Sequence, residues 1–166
     1  MTEPTALPPA LDPATWSPVA PEPPEPALRA RVLAELREQG LDPSVDEDGD
    51  VGVVLSGQML FLRCVESQPP LVRTFGQWIL DPASGTEMTW LRAANAVTGS
   101  LNLIKATVHG DRLVIAADLV IGEDIALGPL LASSLEAVLG SARTWHETVA
   151  ELQSPTREGG WPASRL

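Results

Sequence analysis

Proline is unevenly distributed along this chain, and its distribution limits where a compact domain can form. Nine of the 16 prolines lie within residues 1–26, where they remove backbone hydrogen-bond donors and favour extended, polyproline II-like conformations. The same segment has four acidic residues and no lysine or arginine, and too few apolar residues to offset the entropy of ordering a chain. We predict a disordered, Pro-rich acidic tail at 1–26, in which Trp16 is the residue best suited to docking.

Glycine and proline also mark the opposite boundary. After Leu152 the helical pattern is broken by Ser154, Pro155, Gly159, Gly160 and Pro162. We therefore expect one domain over residues 27–152 and a flexible C-terminal tail over residues 153–166. A domain of that length can bury a sizeable core without disulfides or metals.

Charge and cysteine content exclude several kinds of partner. The net charge is −11, which repels nucleic-acid phosphates and anionic lipid headgroups, so we expect neither a nucleic acid nor a membrane as partner. The single cysteine, Cys64, excludes an internal disulfide. The N-terminus lacks the pattern of a secretory signal, and the longest apolar run, Leu113 to Ile121, is too short to span a bilayer. A cytoplasmic location is the default expectation.

Hydrophobic periodicity predicts a helix followed by strands in the first half of the domain. Apolar residues recur at helical spacing between Ala27 and Gln39, and Gly40 supplies a stop. The acidic cluster Asp46–Asp50 contains Gly49 and separates β-branched runs, which is typical of a hairpin turn. The predicted strands lie around Val45 and over Val51–Leu55, Met59–Val65 and Leu71–Leu80.

The second half returns to helices at both ends of a hairpin. Ser84 and Glu87 have the spacing of a capping box for a helix that runs to Gly99. Strands are predicted over Leu101–Val108 and Arg112–Ile121, and a long helix follows, with an apolar stripe from Leu131 to Leu152. The order α-β-β-β-β-α-β-β-α, with strands in runs, predicts an α+β fold in which helices pack on one side of an antiparallel sheet.

This order, together with several local strings, resembles the YbjN-like family, whose fold is akin to that of the type III secretion chaperones. The resemblance begins with Leu36–Gly40 at the end of the first helix and with the acidic turn Asp46–Asp50. It continues through the helix that carries Asn95 and through the last hairpin, and it closes on the long helix after Glu123-Asp124. It implies a non-enzymatic fold that, in the chaperone relatives, holds partially unfolded protein segments and often dimerises.

The acidic cluster could be mistaken for a calcium site. Asp46, Asp48 and Asp50 have the spacing that opens a calcium-binding loop, but such a loop needs glycine at its sixth position and glutamate at its twelfth. Val51 and Gly57 occupy those positions, so we interpret the cluster as a solvated hairpin turn.

The remaining reactive side chains are isolated. Cys64 lies in an alternating apolar strand pattern, which favours a small buried hydrophobe over a nucleophile. His109 at a hairpin tip and His146 on the polar side of the last helix cannot supply the three or four ligands of a zinc site. No glycine-rich nucleotide-binding motif occurs. We expect no catalytic residue, no metal and no cofactor.

Asp118 interrupts a strand that is otherwise made of valine, leucine, isoleucine and alanine. Strand alternation allows it to point outward to water. The alternative is a buried acid with a raised pKa, which would be typical of a functional site.

The last hairpin carries apolar residues on both faces. An antiparallel sheet with helices on one side normally shows polar residues on the other. The proline-rich tail could cover this second face, or another protein could bind it. The candidate partner-binding residues are Leu101, Leu103, Val114, Ala116 and Val120.

These observations favour a non-enzymatic, chaperone-like module that holds or regulates another protein, or that pairs with its own copy. Two alternatives stay open. One is a small hydrolase without a recognisable motif, using acids such as Asp118 together with His109. The other is an acidic regulatory scaffold that works through its Pro-rich head, by docking modules that bind polyproline II helices.

Overall fold

The computed structural model describes residues 28–122 and 125–154. The predicted tail over 1–26 and most of the one over 153–166 lie outside these ranges. The described elements are α1 (Leu28–Glu38), β1 (Ser44–Val45), β2 (Val51–Leu55), β3 (Gln58–Val65), β4 (Leu71–Ile79), α2 (Glu87–Ser100), β5 (Ile104–His109), β6 (Arg112–Val120) and α3 (Leu127–Gln153). A short 3-10 helix, Pro82–Ser84, precedes α2. The predicted α+β class and element order are confirmed.

The strands form one antiparallel sheet in the order β1-β2-β3-β4-β6-β5. Four of its five strand pairs join consecutive strands, as in a meander. The exception is β4 with β6, whose register runs from Leu71 opposite Val120 to Ile79 opposite Arg112. This pairing places the last hairpin beside the first four strands, with β5 at the edge.

The core lies between one face of the sheet and the three helices. Fully buried strand residues such as Leu62, Val72 and Ile115 pack with the apolar stripes of the helices. Thr74 of β4 and Ser134 of α3 share a buried hydrogen bond of 2.8 Å between their hydroxyl oxygens. No helix in the described ranges is both long enough and apolar enough to cross a bilayer.

Trp145 joins the two longer helices at the far side of the core. Its side chain is completely buried, and its indole N–H donates to the backbone carbonyl of Trp90 at 3.3 Å. The helical stripe predicted from Leu131 to Leu152 is therefore intramolecular packing along much of its length.

Three predicted element starts differ from the structure. Thr86 caps α2, since its hydroxyl accepts the Thr89 N–H at 3.3 Å, whereas Ser84 belongs to the preceding 3-10 helix. Helix α3 begins at Leu127, four residues before the apolar stripe that the sequence shows from Leu131, and its last residue is Gln153.

The third difference concerns the start of β5. The strand begins at Ile104 rather than at Leu101. The N–H of Leu101 donates to the carbonyl of Val97 at 3.2 Å and so closes the end of α2. Leu103 has a φ of +65°, a left-handed conformation that interrupts an extended strand. Leu101 and Leu103 therefore lie in the turn before β5.

Gly76 in the middle of β4 provides space for a neighbouring side chain. A Cβ atom at this position would overlap the Trp78 ring and would lie 2.9 Å from Cδ2 of Leu60. The Trp78 indole is held across the glycine, and its N–H donates to the Gln58 side chain at 3.0 Å. Glycine inside a strand commonly marks such a close approach.

We predict that Gly76→Ala lowers the free energy of unfolding by about 1–3 kcal/mol, because the added methyl group overpacks the core. The matched control is Gly99→Ala in α2, where an added Cβ meets nothing within 4 Å and alanine favours the helix by up to about 1 kcal/mol. Urea unfolding followed by circular dichroism measures both. Equal stability of the Gly76→Ala variant and the parent protein would contradict the packing described here.

Candidate functional site

The sheet has one face that the described helices do not cover. We call it the open face; it comprises the even-numbered residues of β2 and β6 and the odd-numbered residues of β3, β4 and β5. Residues of the opposite parity, such as Val72 and Ile115, are fully buried beneath the helices. The open face is uneven: Val120 and Ile79 at its ends are 55% and 78% exposed, whereas Phe75 and Ala116 nearer its centre are only 7% and 8% exposed. Helices thus pack on one side of the sheet, as predicted.

A row of four charged residues crosses the open face. The strand register places Arg63 beside Arg73, and Arg73 beside Asp118. Asp50, just before β2, lies on the other side of Arg63. Arg63 donates two hydrogen bonds to Asp50, at 2.9 and 2.6 Å, and Arg73 donates two to Asp118, at 2.6 and 3.0 Å. Lys105 of β5 donates a further bond to Asp118 at 2.5 Å.

In this row the basic groups are more exposed than the acids. The side chains of Asp50 and Asp118 are only 6% and 19% exposed, whereas those of Arg63 and Arg73 are 51% and 46% exposed. Paired hydrogen bonds to a carboxylate fix the plane of each guanidinium group. The open face therefore presents oriented cations to the solvent in a chain whose net charge is −11.

These contacts keep the row ionised. The hydrogen bond from Arg73, supported by the one from Lys105, lowers the pKa of Asp118 to about 2. Hydrogen bonds to Asp118 and Asp50 likewise raise the pKa of Arg73 and of Arg63. The alternative of a buried acid with a raised pKa at position 118 is therefore wrong: Asp118 lies on the open face, and its lowered pKa favours the carboxylate that pairs with Arg73.

Two phenylalanines form an aromatic floor beside the charged row. The rings of Phe61 and Phe75 are stacked, with centroids 5.4 Å apart and planes inclined by 24°. The guanidinium carbon of Arg63 lies 5.7 Å from the centroid of Phe75, within the range of a cation–π contact. A shallow cavity of about 290 Å³ opens here, between Arg63 and Arg73 at one end and Thr107 and Val114 at the other.

The five predicted partner-binding residues lie in two parts of the structure. Val114 and Ala116 line the cavity, and Val120 lies at one end of the open face. Leu101 and Leu103 are exposed but belong to the turn before β5.

Alternation within single strands of the last hairpin does not predict the other residues of this surface, which lie on β3 and β4. β3 carries Phe61 and Arg63 at alternate positions, and β4 carries Arg73 and Phe75 in the same way. Their pairing brings the two phenylalanines together and the two arginines together.

The two edge strands of the sheet are β1 and β5. In β5 the N–H of Ala106 donates to the Thr98 hydroxyl at 2.9 Å, and that hydroxyl donates to the Ala106 carbonyl at 3.3 Å. Both groups are thereby used on the side where an incoming strand would bond. The other edge strand, β1, is only two residues long, and short edges disfavour strand addition. Strand addition is therefore disfavoured at Ala106 of β5 and along β1.

The acidic cluster forms the turn between β1 and β2, as predicted. The N–H of Asp46 donates to the carbonyl of Asp50 at 3.0 Å, Gly49 has a φ of +83°, and the Asp46 carboxylate accepts the N–H of Asp50 at 2.8 Å. Asp50 is held by Arg63. Within residues 28–122 and 125–154 no three histidine, cysteine or acidic side chains are grouped so that they could hold a metal ion.

Cys64 and the histidines lie apart from this surface or at its margin. Cys64 is half-buried against the core, and desolvation raises the pKa of its thiol to about 11, which disfavours the thiolate nucleophile. The His146 ring contacts Trp145 edge-on, with centroids 5.0 Å apart. His109 pairs with Arg112, which lies six residues along β6 from Asp118. The hydrolase hypothesis needs His109 and Asp118 together, but this spacing separates them by about 20 Å.

Comparison with known families identifies the same kind of domain. Residues 26–152 match the family described as type III secretion system (YopN, CesT) and YbjN peptide-binding chaperone 1. The matched range contains all six strands, α1, α2 and nearly all of α3. A search of curated proteins found no match.

Solved structures share the fold at low sequence identity. YbjN from E. coli has a TM-score of 0.56 at 11% identity, covering 75% of this chain and 92% of that one. An uncharacterized protein from Methanothermobacter thermautotrophicus has a TM-score of 0.55 at 12% identity, covering 75% of this chain and 97% of that one. A chain of the HopA1–SchA chaperone–effector complex has a TM-score of 0.53 at 16% identity, covering 73% of this chain and 95% of that one. The predicted YbjN resemblance and type III secretion chaperone-like fold are confirmed.

We predict that Asp118→Asn destabilises the protein at neutral pH by about 1 kcal/mol or less, as is usual for a partly exposed ion pair. A carboxylate whose pKa is lowered on folding stabilises the native state above its ordinary pKa, near 4, and loses this effect as the pH falls through about 2. The stability difference from the parent protein should therefore shrink between pH 4 and pH 2. Urea unfolding across this range measures it, with Asp111→Asn in the β5–β6 turn as the control for loss of one charge. A difference that is constant with pH would contradict the pairing.

Proposed function

Because this chain belongs to the family of type III secretion and YbjN peptide-binding chaperones, we propose that it is a non-catalytic module that holds an extended segment of a partner protein on its open face. Residues 27–152 form the binding unit in this proposal. The observation that carries it is the stacked pair Phe61 and Phe75, framed by outward-facing guanidinium groups on the side of the sheet without a described helix.

The chemistry of the open face indicates the kind of segment it suits. The aromatic floor can bury an apolar or aromatic side chain, which stabilises a complex by about 1.5–3 kcal/mol per fully buried group. Next to it, Arg73 and Lys105 carry donors that remain partly exposed after binding Asp118. A segment that alternates acidic with aromatic or large apolar side chains would satisfy both features.

The apolar rim widens this surface. Val114 and Ala116 lie within the cavity, and Val120 extends it toward the end of β6. Leu101 and Leu103 stand four and two residues before Lys105, at the margin beyond β5. We keep all five as proposed partner contacts, with the first three central and the two leucines peripheral.

The alternatives have weaker support. The hydrolase hypothesis needs Asp118 and His109 to act together, but they lie at opposite ends of the β5–β6 hairpin, and Asp118 is held by two cations. Association with a second copy through the same face fits the apolar rim, but the acids of that face, Asp50 and Asp118, are already hydrogen-bonded and offer little to the arginines of the other copy. A partner segment with acidic side chains uses both.

We predict that Val114→Glu weakens segment binding while the fold is retained, because a carboxylate in the cavity repels acidic side chains and occupies the apolar space. Fluorescence anisotropy with labelled, unstructured 15-residue peptides measures this, using acidic–aromatic, basic–aromatic and acidic non-aromatic sequences. The acidic–aromatic set should bind most tightly, and its Kd should rise at least about tenfold in the variant.

The matched control is Met88→Glu, which adds the same charge at an exposed position of α2, on the helical side of the sheet. It should bind peptides as the parent protein does. Thermal melts confirm that both variants fold, and light scattering reports any change in association. Unchanged peptide affinity in a folded Val114→Glu variant would rule out the open face as the binding site.

A further inference from the structure

We propose that the chain's own N-terminal segment, residues 1–26, docks on the open face through Trp16 and its acidic side chains, and so competes with the partner segment. The inference rests on the proposed function only in taking the open face as the site at which a partner binds. Docking of residues 1–26 would regulate access to that site from within the same chain.

The point at which this segment enters the domain supports the proposal. The backbone N–H of Leu28, the first described residue, donates to Oε1 of Glu66 at 2.9 Å. Glu66 directly follows Val65, which pairs with Leu71, and Leu71 in turn pairs with Val120. These three residues form the last apolar row of the open face. The segment therefore joins the domain beside one end of the proposed binding surface.

Its length is sufficient to reach the aromatic floor. Trp16 precedes Leu28 by 12 residues, which span roughly 37 Å in a polyproline II conformation. From Val65 back to Phe61 along β3 is four residues, or about 13 Å. The segment can therefore turn at Leu28, cross the charged row and place the indole over Phe61 and Phe75 without being fully stretched.

Charge complementarity favours this path. The segment carries Glu3, Asp12, Glu22 and Glu25 and has no basic residue. Every lysine and arginine that lies within a described strand is on the open face, and these are Arg63, Arg73, Lys105 and Arg112. The acids next to them, Asp50 and Asp118, are already hydrogen-bonded. With four basic and two acidic groups, the open face carries a local excess of positive charge in a chain whose net charge is −11, which favours contact with an acidic segment.

Composition supports the same contact. Proline favours extended conformations, so a segment with nine prolines in 26 residues should lose less conformational entropy on docking in an aromatic-lined groove. Trp16 offers a flat ring for the Phe61–Phe75 pair and for a cation–π contact with a nearby arginine. Tethering to the domain raises the effective concentration of such a segment to about millimolar, so even weak contacts would occupy the face.

Full-length protein labelled with ¹⁵N tests the proposal by comparison of three forms: the parent, Trp16→Ala and Trp161→Ala. The last is the matched control, since it removes the one tryptophan near the opposite end of the chain. We expect Trp16→Ala to shift the amide resonances of Arg73, Phe75 and Ala116, and Trp161→Ala to leave them in place. If Trp16→Ala leaves these three resonances unmoved, the proposal is overturned. It is also overturned if the shifts depend on protein concentration, because the occupant is then a second copy.

Affinity for an acidic–aromatic 15-residue peptide, measured on the same three proteins, separates this inference from the proposed function. Loss of a competing segment should tighten peptide binding about threefold or more in Trp16→Ala and should not change it in Trp161→Ala. Amide shifts without peptide binding to any form would support the docked segment and refute the proposed function. Equal peptide binding to all three forms with unmoved resonances would refute the docked segment alone.

Discussion

Nine consecutive residue pairs join β4 to β6, from Leu71 opposite Val120 to Ile79 opposite Arg112. This pairing decides what each face of the sheet contains. On the helical face it brings Val72 beside Leu119, and on the open face it sets Arg73 beside Asp118. A slip of one residue would exchange the two faces, burying charge and exposing core. The fold of the core and the composition of the open face are thus consequences of one register.

The ion pairs of the open face contribute more to orientation than to stability. Pairs with one partner half-exposed, such as Arg63 with Asp50, are usually worth about 1 kcal/mol or less. Their double hydrogen bonds nevertheless hold each guanidinium group in a fixed plane. Arg63 is held by Asp50 on one side and lies over the ring of Phe75 on the other. A ligand that met this surface would find its cationic and aromatic groups already arranged, which reduces the entropy lost on binding.

Much of the fold could be predicted because the relevant signals are local. The shift from helical to alternating periodicity predicted the element order, and the acidic cluster with Gly49 predicted the first hairpin turn. The exact start of β5 could not be predicted, because it depends on the hydrogen bond of Leu101 to Val97 and on the left-handed backbone of Leu103. Both are properties of the folded turn and have no periodic signature.

The candidate site was only partly predictable for a related reason. Val114, Ala116 and Val120 share one strand, so alternation within that strand was enough to place them on a common face. Phe75 and Arg63 meet only through the β3–β4 register, and Arg73 meets Asp118 only through the pairing of strands 45 residues apart. Side-chain constellations assembled across strands require the pairing to be known before their members can be grouped.

We propose that the partner segment binds to the open face rather than to a sheet edge or a helix. Intermolecular nuclear Overhauser effects between an acidic–aromatic peptide and the full-length protein can locate the bound segment, because they report contacts of a few ångströms. We expect the aromatic protons of the bound peptide to contact the side chains of Phe75, Val114 and Ala116. Contacts confined to the backbone of β5 or to the outer surfaces of α1, α2 and α3 would contradict it.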